Sequence, residues 1–110
     1  MNLFRRSTPW TLADWAQRHA DAPETYRVPT AEVLATVQVG DRVKLVVVPR
    51  DGLEERLWVR VTEVGPDELA GNLASDPAEL RGLRAGDAVR FERRHVVAVA
   101  RQDPGATVGK

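Results

Sequence analysis

The stretch VGDRVKLVVVPRDGLEERLWVRVTEV, residues 39–64, decides the fold. Its apolar residues alternate, first Val43, Leu45 and Val47, then Leu57, Val59 and Val61. A period of two marks a strand with one face buried. Between the halves, Pro49-Arg50-Asp51-Gly52 supplies turn chemistry, Pro setting φ and Gly accepting a positive one. The spacing predicts strands over Arg42–Val48 and Arg56–Val64.

Downstream, Gly65-Pro66-Asp67 is a second turn, and Leu69/Gly71/Leu73 and Val89/Phe91 continue the alternation. Strands are expected over Glu68–Leu73, Ala88–Glu92 and His95–Ala100, with one helical turn at Pro77–Leu80 behind Ser75 or Asp76. An internal echo links Val39–Leu45 with Ala85–Phe91: both read apolar-Gly-Asp-x-Val-basic-apolar. Turn chemistry explains it, Gly taking a positive φ and Asp41 or Asp87 bonding nearby backbone N–H groups. Such strand entries suit a bent sheet closing into a small barrel.

Upstream the period is helical. A helix is expected over 8–20, with Thr8 as cap and Pro9 at the first helical position, or with a later start at Thr11 and Asp14. Leu12, Trp15, Ala16 and His19 form its stripe, and Trp10 and Trp15 require it to dock on the core; Asp21-Ala22-Pro23 ends it. Tyr26-Arg27-Val28 reads as extended, and Thr30 caps a brief helix over Ala31–Ala35 with Glu32 in its first turn. The expected architecture is α+β: an N-terminal helix packed on a strongly bent, mainly antiparallel five-stranded sheet or small β-barrel. Residues 8–101 form its single domain, between a flexible N-terminus at 1–7 and a flexible tail at 102–110. The expected core is Leu12, Trp15, Val33, Leu34, Val43, Leu45, Val47, Leu57, Val59, Val61, Leu69, Leu73, Leu80, Leu83, Val89, Phe91, Val97 and Val99.

Composition fits one soluble domain: 110 residues, 43% hydrophobic and 29% charged. The absence of Cys excludes disulfides, thiolate metal ligands and a thiol nucleophile. No apolar run approaches a signal peptide's core or a membrane span, so a cytoplasmic protein without membrane contact is expected. Sixteen basic and sixteen acidic residues give net charge zero, yet the charges are segregated. Residues 51–79 hold eight acids against Arg56 and Arg60, while 81–101 hold six Arg against Asp87 and Glu92. Either the two segments pair across strands, or the second presents a basic face to an anion.

Catalytic chemistry is missing. Ser7 and Ser75 have no activating partner, His19 and His95 lack metal-ligand spacing, Glu54-Glu55 reads as a solvated turn pair, and no phosphate-binding glycine motif occurs. No catalytic residue, cofactor or metal is therefore expected. Trp58 stands out instead, on the face opposite Leu57, Val59 and Val61 and beside Arg60 and Thr62. It is either covered by the N-terminal helix or the aromatic centre of a protein-binding surface, next to the acidic 51–68 region. A second candidate set is Arg90, Arg93, Arg94, His95 and Arg101, which would serve an anion or nucleic acid. Against it stand a pI near 6.7, two Lys, one Tyr and two Phe.

The blocks Glu24-Thr25-Tyr26-Arg27-Val28-Pro29, VGDRVKL (39–45), ERLWVRV (55–61), GNLASDP (71–77), LRAGD (83–87) and Val89-Arg90-Phe91 with His95-Val96 occur in order over 24–97. In this the chain resembles the bacterial family called domain of unknown function 2314, which has relatives among small immunity proteins. An Asn is usual in that family where Ser75 stands, and a Met-like residue where Leu57 stands, so no role is carried over to Ser75. The resemblance implies a small bacterial α+β domain, sometimes protein-binding, with no catalytic residues to transfer. The expected function is a non-enzymatic protein-binding module, of the immunity type on the resemblance; the alternative is a nucleic-acid-binding small barrel using the basic 90–101 segment.

Overall fold

The computed structural model describes residues 9–80 and 82–102. The expectations for residues 1–7, Thr8 and 103–110 lie outside them. In chain order the elements are β1 (Trp10–Leu12), α1 (Trp15–Asp21), α2 (Ala31–Ala35), β2 (Arg42–Pro49), β3 (Glu55–Val64), β4 (Leu69–Leu73), β5 (Ala88–Phe91), a 3-10 turn (Arg93–His95) and β6 (Val96–Ala100). Every strand pairing is antiparallel, and the path runs β1-β2-β3-β4-β5. On its other edge, β2 pairs with β6 over Arg42–Leu45 and with β1 over Val47–Pro49. The five strands β2 to β6 curl into a half-barrel, the α+β fold expected from the alternation.

The inner face holds the main core. Val43, Leu45, Val47, Leu57, Val59, Val61, Leu69, Leu73, Val89 and Phe91 are all buried there, each from the alternating half of its strand. Of the remaining expected core, Trp15 and Leu83 are buried, while Leu12, Val33, Leu34, Leu80, Val97 and Val99 are half-buried. Ala13, Val37, Val46 and Val96 are buried as well. Val46 points to the outer face, where alternation predicts exposure, because Trp15 covers it in a second cluster with Tyr26, Val28, Val48 and Val97.

Three local expectations need correction. Residues 10–12 form an edge strand, and the helix starts at Trp15. The later cap wins: the Asp14 carboxylate accepts the Gln17 N–H (3.0 Å), while Trp10 and Leu12 point inward from the edge β6 leaves unpaired. At 77–80 there is no helical turn. The N–H groups of Ala78, Glu79 and Leu80 instead converge on the Glu55 carboxylate (2.7, 2.9 and 3.0 Å), holding its pKa below the usual range. Glu55 is therefore not a solvated turn residue, and Glu54 is paired with Arg18. Finally, His95 closes the 3-10 turn, and the last strand starts at Val96.

The echoed Gly-Asp turns are the same device used twice. Gly40 and Gly86 have φ of +99° and +93°. Asp41 accepts the N–H three residues back, from Gln38 (2.9 Å), and Asp87 does the same for Arg84 (2.8 Å). Gly40 and Asp41 then clamp Val61 as Gly86 and Asp87 clamp Leu73, through one N–H donated and one carbonyl accepting on each side. Asp41 does more than Asp87. It is buried, and its carboxylate also accepts the Gln102 N–H (2.9 Å) and faces the Arg101 guanidinium (3.4 Å). Arg101 in turn caps the C-terminal end of α2 through the Val33 and Thr36 carbonyls.

Replacing the buried Asp41 by Ala removes the acceptor of two backbone N–H groups and the anion facing the half-exposed Arg101, at a cost of about 2–4 kcal/mol. Asp87→Ala loses one half-exposed bond, worth about 1 kcal/mol. Urea titration of both variants should show that order; equal losses would mean that the turn alone, and not the tie to 101–102, matters.

Candidate functional site on the outer sheet face

The register sets what the outer face displays. One row across the sheet reads Ala100, Arg42, Arg60, Asn72, Ala88, and the next reads Ala98, Lys44, Trp58. These two rows carry three cations, one indole and no carboxylate. Arg56 lies one row further towards the β2–β3 turn, opposite Val46. Arg42 stands directly opposite Arg60, a like-charge pairing that weakens a sheet. Both are exposed, and neither makes an ion pair or side-chain hydrogen bond among the described residues. The row they share holds no carboxylate among the described residues.

The helix α1 packs on the 3-10 turn and β6, and its Trp15 covers Val46, one row along from Lys44 and Trp58. Trp58 is half-buried, with the Lys44 ammonium 5.1 Å from its ring centroid, a cation–π contact. The Trp58 backbone N–H donates to Ser75 Oγ (2.9 Å), which fastens the loop after β4 against β3 and gives Ser75 a structural role. Arg60 and Thr62 flank it on the same strand, both exposed, and the Thr62 hydroxyl donates to the Ala70 carbonyl (3.3 Å). The structure thus brings Trp58, Arg60 and Thr62 together and adds Arg42, Lys44 and Asn72. Arg42 and Lys44 alternate with Val43 as Arg60 alternates with Val59 and Val61; that was the available signal, but only the β2–β3 register puts them side by side.

Of the acids of 51–68, Glu63 stands opposite Ala70 and Glu68 pairs with Arg90, so both border the face at its β3–β4 end, outside the Arg42 and Lys44 rows. Asp51 and Glu54 sit at the β2–β3 turn end, and Glu63, Asp67 and Glu68 at the β3–β4 turn end, so carboxylates bound the cationic rows along the strand direction. A groove of about 510 Å³ lies at the β2–β3 turn between Pro9, Pro49, Leu53 and Leu80. Glu55 in that groove is saturated by backbone donors, which leaves it structural.

The second candidate set is dispersed. Arg90 lies on the outer face and pairs with Glu68 across β4 and β5 (3.2 Å), an exposed bridge. Arg93 donates to the carbonyls of Leu34, Gly65 and Pro66. Arg94 bridges Asp14 and Glu92 (both 2.8 Å), tying the α1 cap to the 3-10 turn. The Gln17 N–H first, and Arg94 after it, hold Asp14 below the usual carboxylate range; Arg94 does the same for Glu92. Arg101 is taken by α2 and Asp41. The acidic and basic segments are sheet neighbours through β4 and β5, as expected, and among the described residues Arg90–Glu68 is the ion pair between them.

His95 is buried, and its Nδ1 accepts the Glu92 N–H (2.9 Å), so the ring is held neutral with its proton on Nε2. Burial first, and the Arg94 charge second, push its pKa below the ordinary 6.5. The unfolded chain therefore binds the proton more readily than the folded one. Stability is full above about pH 6.5 and falls as pH drops through that value towards the folded pKa, before the carboxylates titrate. Thermal melts of wild type and His95→Gln at pH 7.5 and 5.5 check this: the wild-type Tm should fall between the two, and the variant, though less stable, should lose most of that dependence. An equal fall in both would place the titrating group elsewhere.

No group of three His, Asp or Glu among the described residues could hold a metal ion, and none of their helices is long and apolar enough to cross a membrane. Comparison with family models, with curated proteins and with solved structures finds no match to this chain.

Proposed function

We propose that the chain is a non-enzymatic protein-binding module that docks through its outer sheet face, with Trp58 at the centre. The observation that carries this reading is the Arg42–Arg60 pairing beside Trp58. Like charges directly opposite one another cost stability, and a local rule broken without compensation is characteristic of a functional surface. Trp and Arg are also the residues that dominate binding energy at protein interfaces. The resemblance to a family with immunity-type relatives supports the same reading. Since Arg93, Arg94, His95 and Arg101 are engaged within the fold, the nucleic-acid alternative retains only Arg90 of its original set.

The test is capture from host lysate with nuclease present, comparing wild type with Trp58→Ala and Arg60→Glu. Truncating a central Trp costs about 2 kcal/mol or more at an interface, roughly thirtyfold in affinity. Capture should therefore drop sharply in both variants, while Arg60→Glu melts at or above the wild-type temperature. Undiminished capture by Arg60→Glu and Trp58→Ala, or loss of the partner on nuclease treatment of the wild type, contradicts the reading.

A further inference from the structure

We infer that the partner group recognised by the outer face is a short acidic polypeptide segment, lying extended across the strands along the Arg42–Arg60 row. The inference rests on that face being the docking surface proposed above, and it names the chemistry of what docks there.

Charge complementarity comes first. Arg42, Lys44 and Arg60 point outward from neighbouring positions, without an ion pair among the described residues. Adjacent strands are about 4.8 Å apart, and alternate residues on one strand about 6.8 Å apart. Alternate side chains of an extended peptide are about 6.8 Å apart, wider than the roughly 4.8 Å between Arg42 and Arg60 across the strands, and the long Arg side chains splay to cover the difference, so two successive carboxylates can each meet a guanidinium. Arg60 and Arg42 supply guanidinium forks, the geometry that holds a carboxylate through two parallel bonds.

The boundaries set direction and length. Along the strands, an anionic chain would run into Glu63, Asp67 and Glu68 at one end and Asp51 and Glu54 at the other. Across the strands, the row from Ala100 through Arg42, Arg60 and Asn72 to Ala88 meets no carboxylate. Its four interstrand gaps span about 19 Å, the length of roughly six extended residues. Alanines at both ends leave room for backbone to pass.

The same features disfavour a nucleic-acid strand. Stacking needs exposed ring faces, and Trp58 is the one aromatic residue on these two rows, with Lys44 already over its ring. A phosphate chain longer than the patch meets the carboxylate margins.

The deciding variant is Arg42→Glu. It places opposite charges across β2 and β3, so it should melt at or above the wild-type temperature while removing half of the recognising pair. The probes are a fluorescein-labelled octapeptide of Asp and Glu around a central Leu, its Asn/Gln counterpart, and an octamer of thymidylate, followed by anisotropy at low salt on the full chain. The acidic peptide should bind, the amide peptide should bind at least about tenfold more weakly, and Arg42→Glu should weaken the acidic peptide by a similar factor. No binding of the acidic peptide, or equal binding by Arg42→Glu, overturns the inference. If that happens while lysate capture still depends on Trp58 and Arg60, the protein-binding reading stands and only the acidic-segment assignment falls. Tighter binding of the thymidylate octamer overturns both.

Discussion

The buried Asp41 carboxylate is the point on which the architecture depends. One side chain accepts the Gln38 and Gln102 N–H groups and faces Arg101, whose guanidinium caps α2. The turn that launches β2, the residue after β6 and the end of the second helix are thereby joined at one site. The connection matters because β2 is the strand every other part is built on. It pairs with β3 on one edge and with both β1 and β6 on the other. Fixing where β2 starts fixes its register, and a slip of one residue would exchange its buried and exposed faces.

That register produces two faces with opposite logic. Inward, the alternating Val, Leu and Phe side chains fill the half-barrel at little polar cost, and no buried side-chain polar atom among the described residues lacks a partner. Outward, half of the face is sealed by Trp15, which stacks edge-on with Tyr26 at 5.1 Å and donates its indole N–H to the Arg27 carbonyl (2.8 Å). The other half is left open with Arg42 against Arg60 and Lys44 against Trp58. Elsewhere several cations are matched by carboxylates: Arg18 with Glu54, Arg94 with Asp14 and Glu92, Arg101 with Asp41. On these outward rows Arg42 and Arg60 stand opposite one another with no ion pair among the described residues.

Much of this was legible from residue order because it is local. Alternation located β2 to β5 within a residue or so at each end, Thr30 located α2, and the repeated Gly-Asp pair gave two turns of identical hydrogen bonding. What failed was decided by distant partners. Trp10 to Leu12 has helical-looking neighbours, yet the open edge of β2 and the competing cap at Asp14 draw it into the sheet. Ala78 to Leu80 follows possible cap residues, yet Glu55, more than twenty residues earlier, claims its N–H groups. The candidate surface behaved in the same way. Trp58, Arg60 and Thr62 could be grouped because they share one strand, but Arg42 and Lys44 join them only through pairing between strands. Arg93, Arg94 and Arg101 read as free cations along the chain, and each is held by a group that chain order does not reveal.

The central claim is that the open half of the outer face is where a partner docks, and amide and indole chemical shifts of isotope-labelled protein titrated with the acidic octapeptide test it most directly. The account predicts perturbations concentrated at Arg42, Lys44, Arg60 and Asn72 and at the Trp58 indole N–H, with the Trp15 indole unchanged. Perturbations centred on Pro49 to Leu53 and Leu80, or spread along α1 and the 3-10 turn with Trp58 silent, would contradict it.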